Sequence, residues 1–277
     1  MNHAGISQEQ RKHQQDLERL RQLRPIDDDF MRCLFKDNIP LVQFVLRIIT
    51  GKPDLIITEC QTQKDLKRLV GGRTICLDAL GTDLDEKKYD MEIQREDRGA
   101  CPFRARFHSS ALDIENLDAG QDFRELPETY TIFITEKDFF GAGEPFYPIE
   151  RINLTTKKPF DDGEHILYVN GAYRGESEIG RLMHDFCCAS ASEMNFPLMA
   201  ERTRYLKETP KGVSEMCQII ETMRREEWEE GRKEGRKEGA ITAARRMLRT
   251  GRYAPEEVCA ISGLTMAEVK ALAAELG

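Results

Sequence analysis

Lys88-Tyr89-Asp90-Met91-Glu92-Ile93-Gln94 alternates polar and apolar residues without a break. A period of two fits a strand: Tyr89, Met91 and Ile93 leave one face, and Asp90, Glu92 and Gln94 leave the other. Just upstream, Thr74-Ile75-Cys76-Leu77-Asp78-Ala79-Leu80 is rich in strand formers, and Gly81 to Glu86 is turn-like. Together they predict a hairpin with one dry and one polar face. Across that turn, Asp78 approaches Glu92. Two converging carboxylates, ionised near neutral pH, make a hard oxygen site suited to Mg²⁺ or Mn²⁺. Such an ion polarises a phosphodiester and activates water. On pattern alone, the commoner meaning of such a strand is a polar side that is simply wet.

The flanking sequence supplies the rest of a fold. Asp27-Asp28-Asp29 offers N-caps for a helix starting near Phe30, with Phe30, Leu34 and Phe35 on one face. Val42, Val45, Leu46 and Ile49 form a second stripe, stopped by Gly51-Lys52-Pro53, and Leu55 to Thr58 reads as a short strand. A helix is predicted over Pro102 to Leu112, with Phe103 and Phe107 one turn apart. Strands follow at Thr129 to Thr135 and His165 to Val169. The order α, β, β, α, β, β predicts an α/β chain of the α+β type, a mixed sheet flanked by helices.

From Glu176 onward the pattern is helical. Residues 1–24 read as a polar tail or helix, 25–175 as the core, 176–225 as helices on or after it, and 226–277 as a charged arm ending in a small helical subdomain. Gly231, Gly235 and Gly239 recur every fourth residue, at a cost in helix stability, on a face another backbone can approach. Pro255 suits a first helical position, Gly263 a turn, and Thr265 with Glu268 a capping box.

At 277 residues the chain can hold one sizeable core or a core with an appendage. Charged residues make up 32%, and neither a membrane-length apolar run nor a signal-peptide core is visible, so a cytoplasmic, membrane-free protein is expected. The eight cysteines include no CxxC pair and read as reduced thiols. His184, Cys187 and Cys188 share a helical face but offer too few ligands for zinc. Net charge is −8, which argues against nucleic acid except where a local surface is basic. Arg245, Arg246 and Arg249 cluster, yet glutamates intersperse the preceding cations. A helical arm ending in a small helical subdomain, either a solvated spacer or an arm for homo-oligomerisation, is the favoured reading, with DNA contact through those arginines as the alternative.

Leu77-Asp78-Ala79 followed by Met91-Glu92-Ile93-Gln94 resembles the D…ExQ signature of the Rpn family of recombination-promoting nucleases. These are PD-(D/E)XK enzymes, also labelled transposases, in which Gln replaces the usual Lys. The likeness extends through Asp29-Phe30-Met31 with Phe35, Arg104-Ala105-Arg106-Phe107-His108, Thr131 to Thr135, and Ala200 to Cys217. It reaches the Glu-Gly-rich tail and covers roughly residues 25 to 277. The resemblance implies a restriction-endonuclease-like core and Mg²⁺-dependent DNA cleavage. Asp78, Glu92 and the Ile93 carbonyl would be metal ligands, with Gln94 in the place of the catalytic Lys. Gln can orient water but brings no charge, which predicts modest turnover. Asp90 has no place in that signature and reads as a solvated carboxylate, at most accessory. Asp29 matches a family position or is a helix cap, and Arg104 and Arg106 could contact phosphate. The competing reading is a catalytically idle nuclease fold that assembles through its C-terminal helices. A three-carboxylate strand-transfer site is not identifiable.

Overall fold

The computed structural model describes residues 17–66, 75–95 and 97–274. Most of the expected N-terminal tail and Thr74 of the expected strand lie outside them, while 17–22 are helical. Helix α1 spans Asp28–Phe35 and α2 spans Ile39–Thr50. Asp27 holds the N-cap position of α1, but its carboxylate turns back to accept the Arg24 N–H at 2.7 Å and its guanidinium at 3.0 Å. At the end of α2, Gly51 takes the left-handed conformation that an L side chain resists, with φ 64°. Both predicted stripes, Phe30, Leu34 and Phe35 with Val42, Val45, Leu46 and Ile49, are buried.

Six strands form one mixed sheet: β1 (Ile57–Asp65), β2 (Cys76–Asp83), β3 (Lys88–Gln94), β4 (Thr129–Thr135), β5 (Phe146–Ile149) and β6 (Glu164–Asn170). Their order is β1-β2-β3-β4-β6-β5. The first three pair antiparallel, β3, β4 and β6 run parallel, and β5 lies antiparallel on the edge. Strand β3 is therefore the boundary between the two halves. Its parallel link to β4 needs a crossover, which carries helix α3 (Pro102–Asn116).

Some boundaries differ from expectation for identifiable reasons. Strand β1 overlaps the predicted one only at Ile57 and Thr58, because most of it is polar and gives no apolar signal. Strand β5 holds Pro148, tolerated at an edge where no N–H need be donated inward. Gly81, Thr82 and Asp83 extend β2 instead of turning. Asp83 folds over the shortened turn, accepting the Asp85 and Lys87 N–H groups at 2.9 and 3.0 Å and the Tyr89 hydroxyl at 2.9 Å.

Helix α2 covers the Tyr89, Met91 and Ile93 face, where a Cβ on Gly81 would stand 3.4 Å from Leu46. Helix α3 covers the other face with Ala105, His108, Ser109 and Leu112. The aromatic pair expected on this helix points outward, Phe103 at 74% exposure and Phe107 at 45%. Helices α4 (Glu178–Cys187) and α5 (Pro197–Glu208) follow.

One compact unit reaches Met216 and a second begins at Cys217. Helix α6 (Pro210–Thr250) passes through the boundary. In the second unit, α7 (Pro255–Ser262) and α8 (Met266–Ala274) join it around Ala244, Val258, Leu264, Val269 and Leu272. Gly263 is left-handed at φ 74°, and Thr265 and Glu268 bond to each other as a capping box requires. Among the described residues nothing lies within 4 Å of a Cβ placed on Gly231, Gly235 or Gly239. No described helix is long and apolar enough to cross a membrane.

Candidate active site

The β2–β3 ladder runs from Thr82↔Lys88 only as far as Ala79↔Met91, whereas β3 stays with β4 through Gln94↔Thr135. Beyond Met91 the antiparallel pair opens. Continuing its register sets Asp78 opposite Glu92 on the same face. Each carboxylate replaces the missing ladder bond: Asp78 Oδ2 accepts the Ile93 N–H at 3.1 Å, and Glu92 Oε1 accepts the Asp78 N–H at 3.0 Å. In extended chain a residue's N–H and C=O point the same way, so the Ile93 carbonyl also faces this opening. The Gln94 carbonyl faces the other way, accepting the Glu136 N–H at 3.1 Å.

Asp90 is not the solvated carboxylate its sequence position suggested. It is wholly buried beneath α3, and among the described residues its Oδ1 has no hydrogen-bond partner. Its Oδ2 lies 3.4 Å from His108 Nδ1, which is also 3.7 Å from Glu92 Oε1. Ligand atoms of Asp90, Glu92 and His108 all fall within 4.8 Å of one another. Arg104 stands one helical turn before His108. Its guanidinium reaches Glu92 Oε2 at 3.0 Å, Gln94 Oε1 at 3.3 Å and His108 Nε2 at 3.2 Å. Since Nε2 accepts from Arg104, the network assigns the imidazole proton to Nδ1, facing Asp90.

Electrostatics follow from burial. Loss of water pushes Asp78 above its ordinary 3.8, opposed by the Ile93 amide and by the charges of Arg32 and Arg104. Burial raises Asp90 and Glu92 well above their ordinary values, and each is raised further by neighbouring carboxylates. A cluster of buried carboxyl groups beside a neutral amide is costly to ionise without a cation. The donor set fits one: hard oxygens from Asp78, Glu92 and Asp90, including the orphaned Oδ1, with an imidazole beside them.

Gln94 is seated by Gly99, where an added Cβ would fall 1.9 Å from the Gln94 Oε1. The 3-10 turn Asp97–Ala100 leads directly into α3, and the Tyr168 hydroxyl on β6 donates to the Ala100 carbonyl at 2.8 Å. Asp29 is not brought to this cluster; its charge acts on Cys33. Asp28 and Arg32 are the α1 residues whose charges reach Asp78. Arg106 is exposed, its guanidinium 5.8 Å from the Phe103 ring centroid. Arg245, Arg246 and Arg249 are exposed on α6 in the second unit.

His108, and Asp28 beyond its place as an N-cap candidate, carried no role at the site in the sequence reading. A signal for His108 was available, because i, i+4 spacing puts it on the Arg104 side of the helix, with Leu112 one turn further along.

A family model described as PD-(D/E)XK nuclease family transposase matches residues 36–172. Residues 36–172 are similar to that family. The PD-(D/E)XK segment contains the whole six-stranded sheet, α3 and every member of the carboxylate cluster. Its mixed sheet with flanking helices is restriction-endonuclease-like, as expected. No curated protein and no solved structure matches the chain.

Proposed function

We propose that the chain is a metal-dependent endonuclease that hydrolyses DNA phosphodiester bonds, related to the Rpn group and linked to recombination or mobile elements. The observation that supports this reading is the opened β2–β3 end, where Asp78 and Glu92 each accept a backbone N–H from the other strand within the segment that the PD-(D/E)XK family model matches. A divalent cation, Mg²⁺ or Mn²⁺, would polarise the scissile phosphodiester and acidify water. Asp78, Glu92 and the Ile93 carbonyl would hold it, and Asp90 has an uncommitted oxygen to add. Gln94 presents an amide that hydrogen-bonds the attacking water but cannot carry its charge. His108 keeps its proton at Nδ1, toward Asp90, and so orients the inner carboxylates.

Supercoiled plasmid incubated with the purified chain and Mg²⁺ or Mn²⁺ tests the reading, beside Asp78→Ala and Glu92→Ala. Wild type nicks the plasmid. Each variant loses several kcal/mol of transition-state stabilisation, on the order of 10³-fold in rate. Nicking by all three alike would mean the site is elsewhere. Bound metal without cutting by wild type would favour the idle scaffold, whose specific support is that Arg104 already sits 3.0 Å from Glu92 Oε2.

A further inference from the structure

Resting on the nuclease reading above, we propose that Arg104 is the catalytic cation of this site, delivered from α3 to meet the charge that builds on a phosphodiester under attack. Its guanidinium touches Glu92, Gln94 and His108 together, at 3.0, 3.3 and 3.2 Å. The Arg104 side chain is 38% exposed while that of Glu92 is 1% exposed, so Arg104 occupies the approach to the carboxylates. A phosphate arriving from solvent meets this side chain on its way to Glu92.

Hydrolysis forms a bond from water oxygen to phosphorus and breaks one P–O ester bond, the leaving oxygen keeping the electron pair. The protons of the water end on that oxygen and in solvent. Negative charge gathers meanwhile on the non-bridging oxygens, where a planar guanidinium binds two at once. Position 94 supplies only a neutral amide, and Arg104 is in contact with that amide. Arg104 forms no covalent bond and gives up no proton; its contribution is electrostatic.

The same contact with Glu92 sets Arg104 against any divalent cation that uses that carboxylate. Removing Arg104 therefore tightens cation binding and slows cleavage, two effects of opposite benefit. A residue that merely pinned α3 to β3 would not divide them in this way.

The test compares wild type, Arg104→Ala, Arg104→Lys and the double variant Arg104→Ala/Gln94→Lys, with folding checked by circular dichroism. Mn²⁺ affinity is read by calorimetry and cleavage on supercoiled plasmid. Arg104→Ala binds Mn²⁺ about tenfold more tightly, as loss of a nearby like charge predicts, and its turnover falls about 10²–10³-fold. Arg104→Lys keeps the charge without the fork and lies between. In the double variant a lysine ammonium enters the space that the guanidinium shares with Gln94, and turnover recovers at least in part. Arg104→Ala cutting at the wild-type rate, or a folded double variant with no recovery, overturns the role of Arg104 alone. A wild type that binds Mn²⁺ and never cuts sinks the nuclease reading itself.

Discussion

The two faces of strand β3 are built on opposite logic. On one, Tyr89, Met91 and Ile93 lie on the face that α2 covers, and all three are buried. On the other, Asp90 and Glu92 are buried just as deeply, but against His108 and Arg104. The first face stabilises the fold by removing apolar area from water. The second works against the fold, since it holds carboxylates where ionising them is costly. Depth of burial alone does not separate structure from function here; the chemistry of what is buried does.

That contrast can be broken from either side. Leu46→Ala on the apolar face should cost about 2–5 kcal/mol in urea unfolding, the range for a truncated core leucine, and a loss under 1 kcal/mol would contradict the packing described. Gly99→Ala acts on the polar face: its methyl must displace the Gln94 amide. Cleavage should drop by up to about 10²-fold with little change in melting temperature, and equal loss of both would make Gly99 structural.

The third effect is smaller and depends on pH. Asp90 and Glu92 are raised in the folded state, so folding favours their protonated forms. Their stabilising contribution is full below the ordinary values of 3.8 and 4.5 and is lost as pH rises through the raised folded values. The melting temperature of the metal-free protein should therefore decline across that rise. Asp90→Asn should flatten the decline, and saturating Mg²⁺ should offset it. A metal-free melting temperature that climbs over the same interval would reverse the sign. Smallest of all, Phe107→Ala should change stability by no more than about 0.5 kcal/mol despite removing an aromatic ring, because that ring faces solvent.

The apolar face was legible in the sequence because its signal is periodicity. The stripes of α1 and α2, and the alternation of β3, need no knowledge of partners. The polar face was legible only in its first line, the Asp78, Glu92 and Gln94 alignment. Helix α3 misled for a physical reason: its aromatic residues lie outward, and its inward stripe sets His108 beside the buried Asp90 and bonds Ser109 to Glu164. Asp90 misled for the same reason. An acidic residue on a strand reads as wet until the helix laid across it is known, and that helix comes from a crossover more than ten residues away. Most of β1 escaped notice because a polar strand is defined by its neighbour's register and not by its own composition.

The bond from Tyr168 to the Ala100 carbonyl has a reach beyond its own strand. It tethers the short connector that separates Gln94 from Arg104, so the spacing between a neutral amide and a fixed positive charge is gauged by a hydroxyl two strands away. Drift in that gauge would leave every reactive group present and the fold intact, yet set the instrument out of tune.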